Sequence, residues 1–149
     1  MSANLTPISK AVAMGHGAAS LSLRLAAEPQ NVARVRDEVV RRAKCLGMPS
    51  ASVDDLKTIV SEACANVVRH AYPQDAPDRP MEVEMAAEGE ELKLLVRDRG
   101  TGIRPPTGAR PSSLRLGFLL MGSLASCMQL RSEKGLGTEL LLTVPLARV

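Results

Sequence analysis

The chain is almost without aromatic residues: one tyrosine, one phenylalanine and no tryptophan make up 1% of 149 residues. Its core must therefore be assembled from Leu, Val, Ala and Met. The scarcity also argues against a stacking platform for single-stranded nucleic acid. An excess of one charge is lacking too. Nineteen basic and 16 acidic residues leave a formal net charge of +3, interspersed and without a long basic block, so no direct nucleic-acid contact is expected. Cysteine is sparse and scattered: Cys45, Cys64 and Cys127 form no C-x-x-C pair and no Cys/His cluster. That pattern fits a reducing cytoplasm better than a disulfide framework. No apolar run approaches the length of a transmembrane helix, and the first 20 residues lack the apolar stretch of a signal peptide. The expected setting is cytoplasmic, with no membrane association.

Several catalytic signatures are missing as well. There is no G-x-x-x-x-G-K-[ST] phosphate loop and no G-x-S-x-G nucleophile elbow. His16 and His70 are too few and too far apart for a typical zinc site.

What is present is a globular composition, 45% apolar, long enough for one compact domain. Residues 1–18 are expected to form a loose arm and 19–149 a single domain. Leu21, Leu23 and Leu25 alternate with polar residues, the period of a half-buried strand. Pro29 opens a helix to about Lys44, with Val32, Val35, Val39 and Val40 as its apolar stripe. A second helix is expected from a cap at Ser50 or Ser52, with Asp54 and Asp55 in its first turn, to about Tyr72 before Pro73. Met81, Val83 and Met85 alternate with Glu82 and Glu84; Gly89 turns into a strand at Leu92–Val96. Residues 99–113 hold three prolines, three glycines and two serines, the composition of a loop. A helix from Leu114 to about Ala125 and strands near 127–133 and 138–146 complete the order β-α-α-β-β-loop-α-β-β. That order predicts an α+β fold, a two-layer sandwich with helices on one face of a mixed, mostly antiparallel sheet.

Glu62, Asn66 and His70 stand at i, i+4 and i+8 of the second helix. At ~100° per residue they lie roughly 130°, 90° and 50° from the centre of the stripe formed by Leu56, Ile59, Val60, Ala63 and Val67. They climb the seam between core and solvent, where either a cleft-lining group or a merely solvated face would sit. Asp98 ends an apolar strand ahead of Gly100 and Gly102. It suits either an Asx turn or an acceptor for a ligand amino group such as adenine N6. Leu116-Gly117-Phe118-Leu119-Leu120-Met121-Gly122 starts a helix with glycine, offering N–H groups to phosphates or simply an apolar helix that packs on the sheet. Gly135-Leu136-Gly137-Thr138 could be a plain hairpin turn.

Together these segments resemble the four boxes of the GHKL (Bergerat-fold) ATPases: Glu62–His70, Asp98–Ile103, Gly117–Gly122 and Gly135–Thr138. Within that superfamily the chain looks most like the bacterial anti-sigma factor serine/threonine kinases. It reads E-A-x-x-N-x-x-x-H-A-Y at the first box and L-G-F-L-L-M at the third, over about residues 20–146. The resemblance implies ATP and Mg2+ as cofactors. It implies Glu62 as general base and Asn66 as the magnesium ligand. Asp98 would read the adenine amino group above Gly102, flanked by Gly100 and Ile103, with Thr138 near the base. Leu116, Gly117 and Phe118 would wrap the phosphates, and His70 would either touch phosphate or close the helix. The chain departs from many relatives in the sparse glycine ahead of Gly117. It also lacks a dimerisation helix with a phosphorylatable histidine, so the implied target lies on another protein.

Implied partners are a sigma factor, a STAS-domain anti-anti-sigma antagonist and a second copy of the chain. Two alternatives stay open beside the kinase: a nucleotide-dependent binding module without kinase activity, and a switch kinase that never touches a sigma factor. Glu62 beside Asn66 favours a kinase, since a pure binder has no need of a base.

Overall fold

The computed structural model describes residues 20–102 and 113–146. The arm at 1–18, with His16, and Ile103 with most of the Pro/Gly loop lie outside the described residues. In chain order the elements are β1 (Leu21–Ala26), α1 (Pro29–Cys45), α2 (Ser50–Asn66), a π-helical turn (Val67–Ala71), β2 (Pro80–Glu88), β3 (Glu91–Asp98), α3 (Ser113–Leu124), β4 (Cys127–Glu133) and β5 (Gly137–Pro145).

The five strands form one sheet in the order β1-β2-β3-β5-β4, and every pairing is antiparallel. Its register follows from the alternation in the sequence. Leu21 pairs with Met85 and Leu23 with Val83, while Met81, Val83 and Met85 face Asp98, Val96 and Leu94. A one-residue slip would turn all of these apolar side chains to the opposite face. They pack instead against Val35, Val39, Leu56, Ile59 and Val60, all fully buried. Each such side chain contributes about 1.5–3 kcal/mol on leaving water. The other face of the sheet carries ion pairs between neighbouring strands, with Arg97 bridging Glu82 at 2.8 Å and Glu139 at 3.1 Å.

Pro29 stands in the first turn of α1, where its missing N–H costs nothing, and Arg42 and Lys44 sit in the last turn, at the negative end of the helix dipole. The start of α2 differs from expectation. The cap position is Pro49, in extended conformation, not Ser50 or Ser52. Proline disfavours helical geometry in the residue before it and presets its own φ, so the helix opens one residue after it. Ser52 is consequently drawn inside and buried, and no acidic residue occupies the first turn. The end of α2 differs as well. The α-helix stops at Asn66, continues as the π-helical turn to Ala71, and gives way at Tyr72 to extended backbone (φ −122°, ψ 143°). The residue before Pro73 is sterically held out of the helical region.

Burial distinguishes the three cysteines. Cys64 lies on the core side of α2, and burial pushes its thiol pKa up to about 12, while Cys45 and Cys127 are exposed. Since the thiolate is the nucleophile, Cys45 and Cys127 should react promptly with a thiol reagent and Cys64 only on unfolding. Stopped-flow labelling followed by peptide mass mapping checks this. Prompt modification of Cys64 would contradict its burial.

Candidate functional site

Glu62 and Asn66 occupy successive turns near the end of α2, and α3 crosses directly over them. A β-carbon placed on Gly117 would stand 3.1 Å from Glu62 Oε2 and 3.3 Å from both Asn66 Oδ1 and Nδ2. Any larger residue at 117 would push into the two functional groups. Gly117 does not begin its helix, however. The helix starts four residues earlier, at Ser113, because Leu114, Arg115 and Leu116 are good helix formers. The backbone of Gly117 is thus interior to α3, not a row of orphan N–H donors at its start.

Asn66 is 7% exposed, and neither Oδ1 nor Nδ2 has a hydrogen-bond partner among the described residues. A buried carboxamide without partners costs free energy in the fold, on the order of 1–3 kcal/mol for the unsatisfied group. Such a group is the kind that a ligand satisfies. The donor offered here is an oxygen, Oδ1 of the Asn66 carboxamide. Among the described residues there is no cluster of three or more His, Cys, Asp or Glu that could cage a metal. That donor fits magnesium, which is held by one or two protein oxygens and completes its shell with water and phosphate.

Asp98 is the second centre. It ends β3, pairs in register with Thr138 on β5, and is 7% exposed. Its Oδ1 accepts a hydrogen bond from the Gly100 N–H at 2.9 Å, forming the Asx turn expected from sequence. Burial raises the carboxyl above its ordinary pKa of 3.8, and hydrogen bonds from the backbone N–H groups of Gly100 and Thr138 pull it back down. Thr138 Oγ1 lies 3.0 Å from Ser132 Oγ on β4.

The glycines around Asp98 are needed for packing. A β-carbon on Gly100 would overlap the Ala71 carbonyl oxygen and stand 3.1 Å from Ala71 Cα. Gly102 has φ +85°, and a β-carbon there would stand 2.8 Å from the Glu133 carbonyl oxygen. The Asp98–Gly102 loop is therefore wedged between the π-helical turn and the β4–β5 hairpin. The Thr101 N–H donates to Ala71 O and the Gly135 N–H to Thr101 O, each at 3.0 Å.

The remaining sequence-derived residues are dispersed. His70 is exposed on the π-helical turn, and partial burial, then Arg69, lowers its pKa. Leu116 is exposed, while Phe118 packs against the main core. Two further groups join the site: Tyr72, the last residue of the E-A-x-x-N-x-x-x-H-A-Y motif, and the backbone of Arg99, which had no sequence signal beyond its place. The Arg99 N–H donates to Tyr72 Oη at 2.8 Å, and Tyr72 Oη donates to the Pro80 carbonyl. Tyr72 is also the only tyrosine of the chain and stands directly before a proline.

Comparison with known proteins bears on the family and the fold. Residues 25–144 match the family model described as histidine kinase-like ATPase domain. An anti-sigma F factor of Clostridium kluyveri is 30% identical over 132 residues, covering 83% of this chain and 92% of that protein. A serine-protein kinase RsbW of Bacillus pumilus is 32% identical over 81 residues, covering 54% of this chain and 50% of that one. Among solved structures, the RsbU and RsbW domains of a Mycobacterium tuberculosis protein superpose with a TM-score of 0.69 at 24% identity. That match covers 87% of this chain and 33% of the larger one, and it supports the three-helix, five-stranded α+β fold. With the family model spanning most of its length and the same architecture, the chain belongs to the histidine kinase-like ATPase domain family.

Proposed function

We propose that this protein is a cytoplasmic anti-sigma factor and serine protein kinase, carried by a single domain over residues 19–149. It binds Mg-ATP, phosphorylates a serine of a STAS-domain antagonist and sequesters a sigma factor in a partner-switching network. The observation that carries this proposal is the buried, unpartnered Asn66 carboxamide beside the Glu62 carboxylate, both against Gly117. The names of the Clostridium and Bacillus relatives supply the partner class. No helix among the described residues is long and apolar enough to cross a membrane.

Each residue has a distinct task. Asn66 Oδ1 holds the magnesium ion, which neutralises charge on the phosphate oxygens when bound. Glu62, one turn away, accepts the proton of the serine hydroxyl as that oxygen approaches the γ-phosphate. Asp98 accepts a hydrogen bond from the adenine amino group, with Gly102 beside the base and Thr138 nearby. Leu116, Gly117 and Phe118, inside α3, face the phosphates, and His70 either touches phosphate or closes the helix that carries Glu62 and Asn66. Phosphoryl transfer asks for positioning and electrostatics more than covalent chemistry, which this set can supply.

Phosphate transfer from labelled ATP to a STAS-domain antagonist tests the proposal. Labelled phosphoserine on the antagonist is expected; a bound antagonist that stays unlabelled favours the nucleotide-dependent clamp. A second copy is expected to pair through β1, an edge strand, and α1. Light scattering at micromolar concentration should give twice 15.9 kDa; a clean monomer contradicts the dimer.

Asp98 gives the affinity a pH dependence. Its folded pKa is raised, so its contribution to stability is fully present below the unfolded value and is lost as pH rises through the folded value. At neutral pH the ionised carboxylate is a cost to the fold, which an amino donor on the base offsets. ATP affinity should therefore fall as pH drops through the raised pKa of Asp98. Calorimetric titrations across that pKa, on wild type and Asp98→Asn, check this. An identical pH profile in the two proteins would remove Asp98 from base recognition.

A further inference from the structure

Three consecutive backbone N–H groups leave the end of β3, and each has its own partner. Arg99 donates to Tyr72 Oη, Gly100 to Asp98 Oδ1, and Thr101 to the Ala71 carbonyl. Two of the three partners thus belong to the end of the helix that carries Glu62 and Asn66. Tyr72 Oη in turn donates to the carbonyl of Pro80, the first residue of β2, and the next residue, Met81, pairs with Asp98. The phenol spans the two strand ends at the point where Asp98 leaves the sheet. Burial, its largest influence, raises its pKa above 10.0, so it keeps the proton that it donates.

We propose that Tyr72 is a positioning residue for base selectivity: its hydroxyl fixes the backbone directly after Asp98 and so aims the carboxylate at a 6-amino purine. The inference rests on Asp98 reading the base, as proposed above. Removing the hydroxyl leaves the half-buried ring in place. Arg99 is exposed, so water can replace the lost partner of its N–H, while the Pro80 carbonyl loses its donor at a cost to the fold. What changes is the freedom of the 98–99 peptide. A loosened carboxylate still accepts hydrogen bonds but no longer rejects a 6-oxo group held in the same place, because rejection depends on a fixed acceptor facing an acceptor.

The experiment compares Mg-ATP with Mg-inosine triphosphate, which carries a carbonyl where adenine has its amino group, on wild type and Tyr72→Phe. Wild type should prefer ATP, and the preference should narrow about tenfold in the variant, the size of one hydrogen bond. Amide hydrogen exchange without nucleotide should show faster exchange at Arg99 and unchanged protection at Val96 in the β3 interior. An unchanged ATP-to-inosine ratio, or equal loss of both affinities, overturns the inference. Wild type binding neither nucleotide overturns the base-reading proposal itself. Should Tyr72→Phe fail to fold, the single tyrosine of the chain permits a second measurement. Biosynthetic 3-fluorotyrosine gives one 19F signal, from position 72. It should move further with saturating ATP than with inosine triphosphate, and equal displacement overturns the inference.

Discussion

Glu62→Gln is expected to slow phosphate transfer by roughly 10²–10⁴ while leaving nucleotide affinity unchanged. The substitution is isosteric, so the contact with Gly117, whose added β-carbon would stand 3.1 Å from Glu62 Oε2, survives. The metal ligand assigned to Asn66 is untouched. Only the capacity to take a proton is lost. Asn66→Ala should behave differently. It removes the buried carboxamide, and binding and transfer should fall together. Radiolabel transfer to the antagonist, measured beside ATP affinity for both variants, separates the two roles. Transfer at full rate in Glu62→Gln would remove Glu62 from the chemistry.

The largest effect on stability is expected from Gly100→Ala. The added methyl would overlap the Ala71 carbonyl oxygen and stand 3.1 Å from Ala71 Cα. Both obstacles are backbone, so no side-chain rotation relieves them. The loop must leave the π-helical turn, with loss of the hydrogen bond from the Thr101 N–H to Ala71. A cost of about 3 kcal/mol is expected, on the order of 10 °C in Tm for a domain of this size. Gly89→Ala is the control. Its φ is +61° but nothing lies within 4 Å of an added β-carbon, so only the backbone strain of ~1 kcal/mol applies. Equal melting of the two variants would show that the wedge against Ala71 contributes little.

Much of this arrangement was legible in the sequence, for identifiable reasons. Period-two alternation in Leu21–Leu25 and Met81–Met85 is a direct imprint of one buried sheet face, and the structure pairs those residues. The stripe Leu56, Ile59, Val60 and Ala63 fixed which side of α2 faces inward, and so placed Glu62 and Asn66 along one line. What stayed hidden depends on contacts between distant segments. Nothing local in Val67–Ala71 announces a switch from α to π hydrogen bonding. Tertiary demand, the docking of Ala71 onto Gly100 and Thr101, coincides with it. Gly100 read as the end of an Asx turn from Asp98, which the structure shows, but its close packing against a helix end was not visible in sequence. The helix expected from Leu114 to about Ala125 is observed from Ser113 to Leu124, which puts Gly117 inside it and not among its first free N–H groups. Ser50 and Ser52 carry the usual cap chemistry, but Pro49 fixes the boundary by its own geometry.

The central claim is a magnesium–nucleotide site built on Asn66 and Asp98, and titration calorimetry of ATP with and without magnesium tests it most directly. The wild-type protein should bind ATP saturably at one site per chain. Affinity should drop about tenfold or more, the size of a lost charge-assisted contact, both when magnesium is withdrawn and in Asn66→Ala. No detectable heat of binding at nucleotide concentrations on the order of 1 mM, a Kd weaker than about −4.1 kcal/mol of binding free energy, would contradict it.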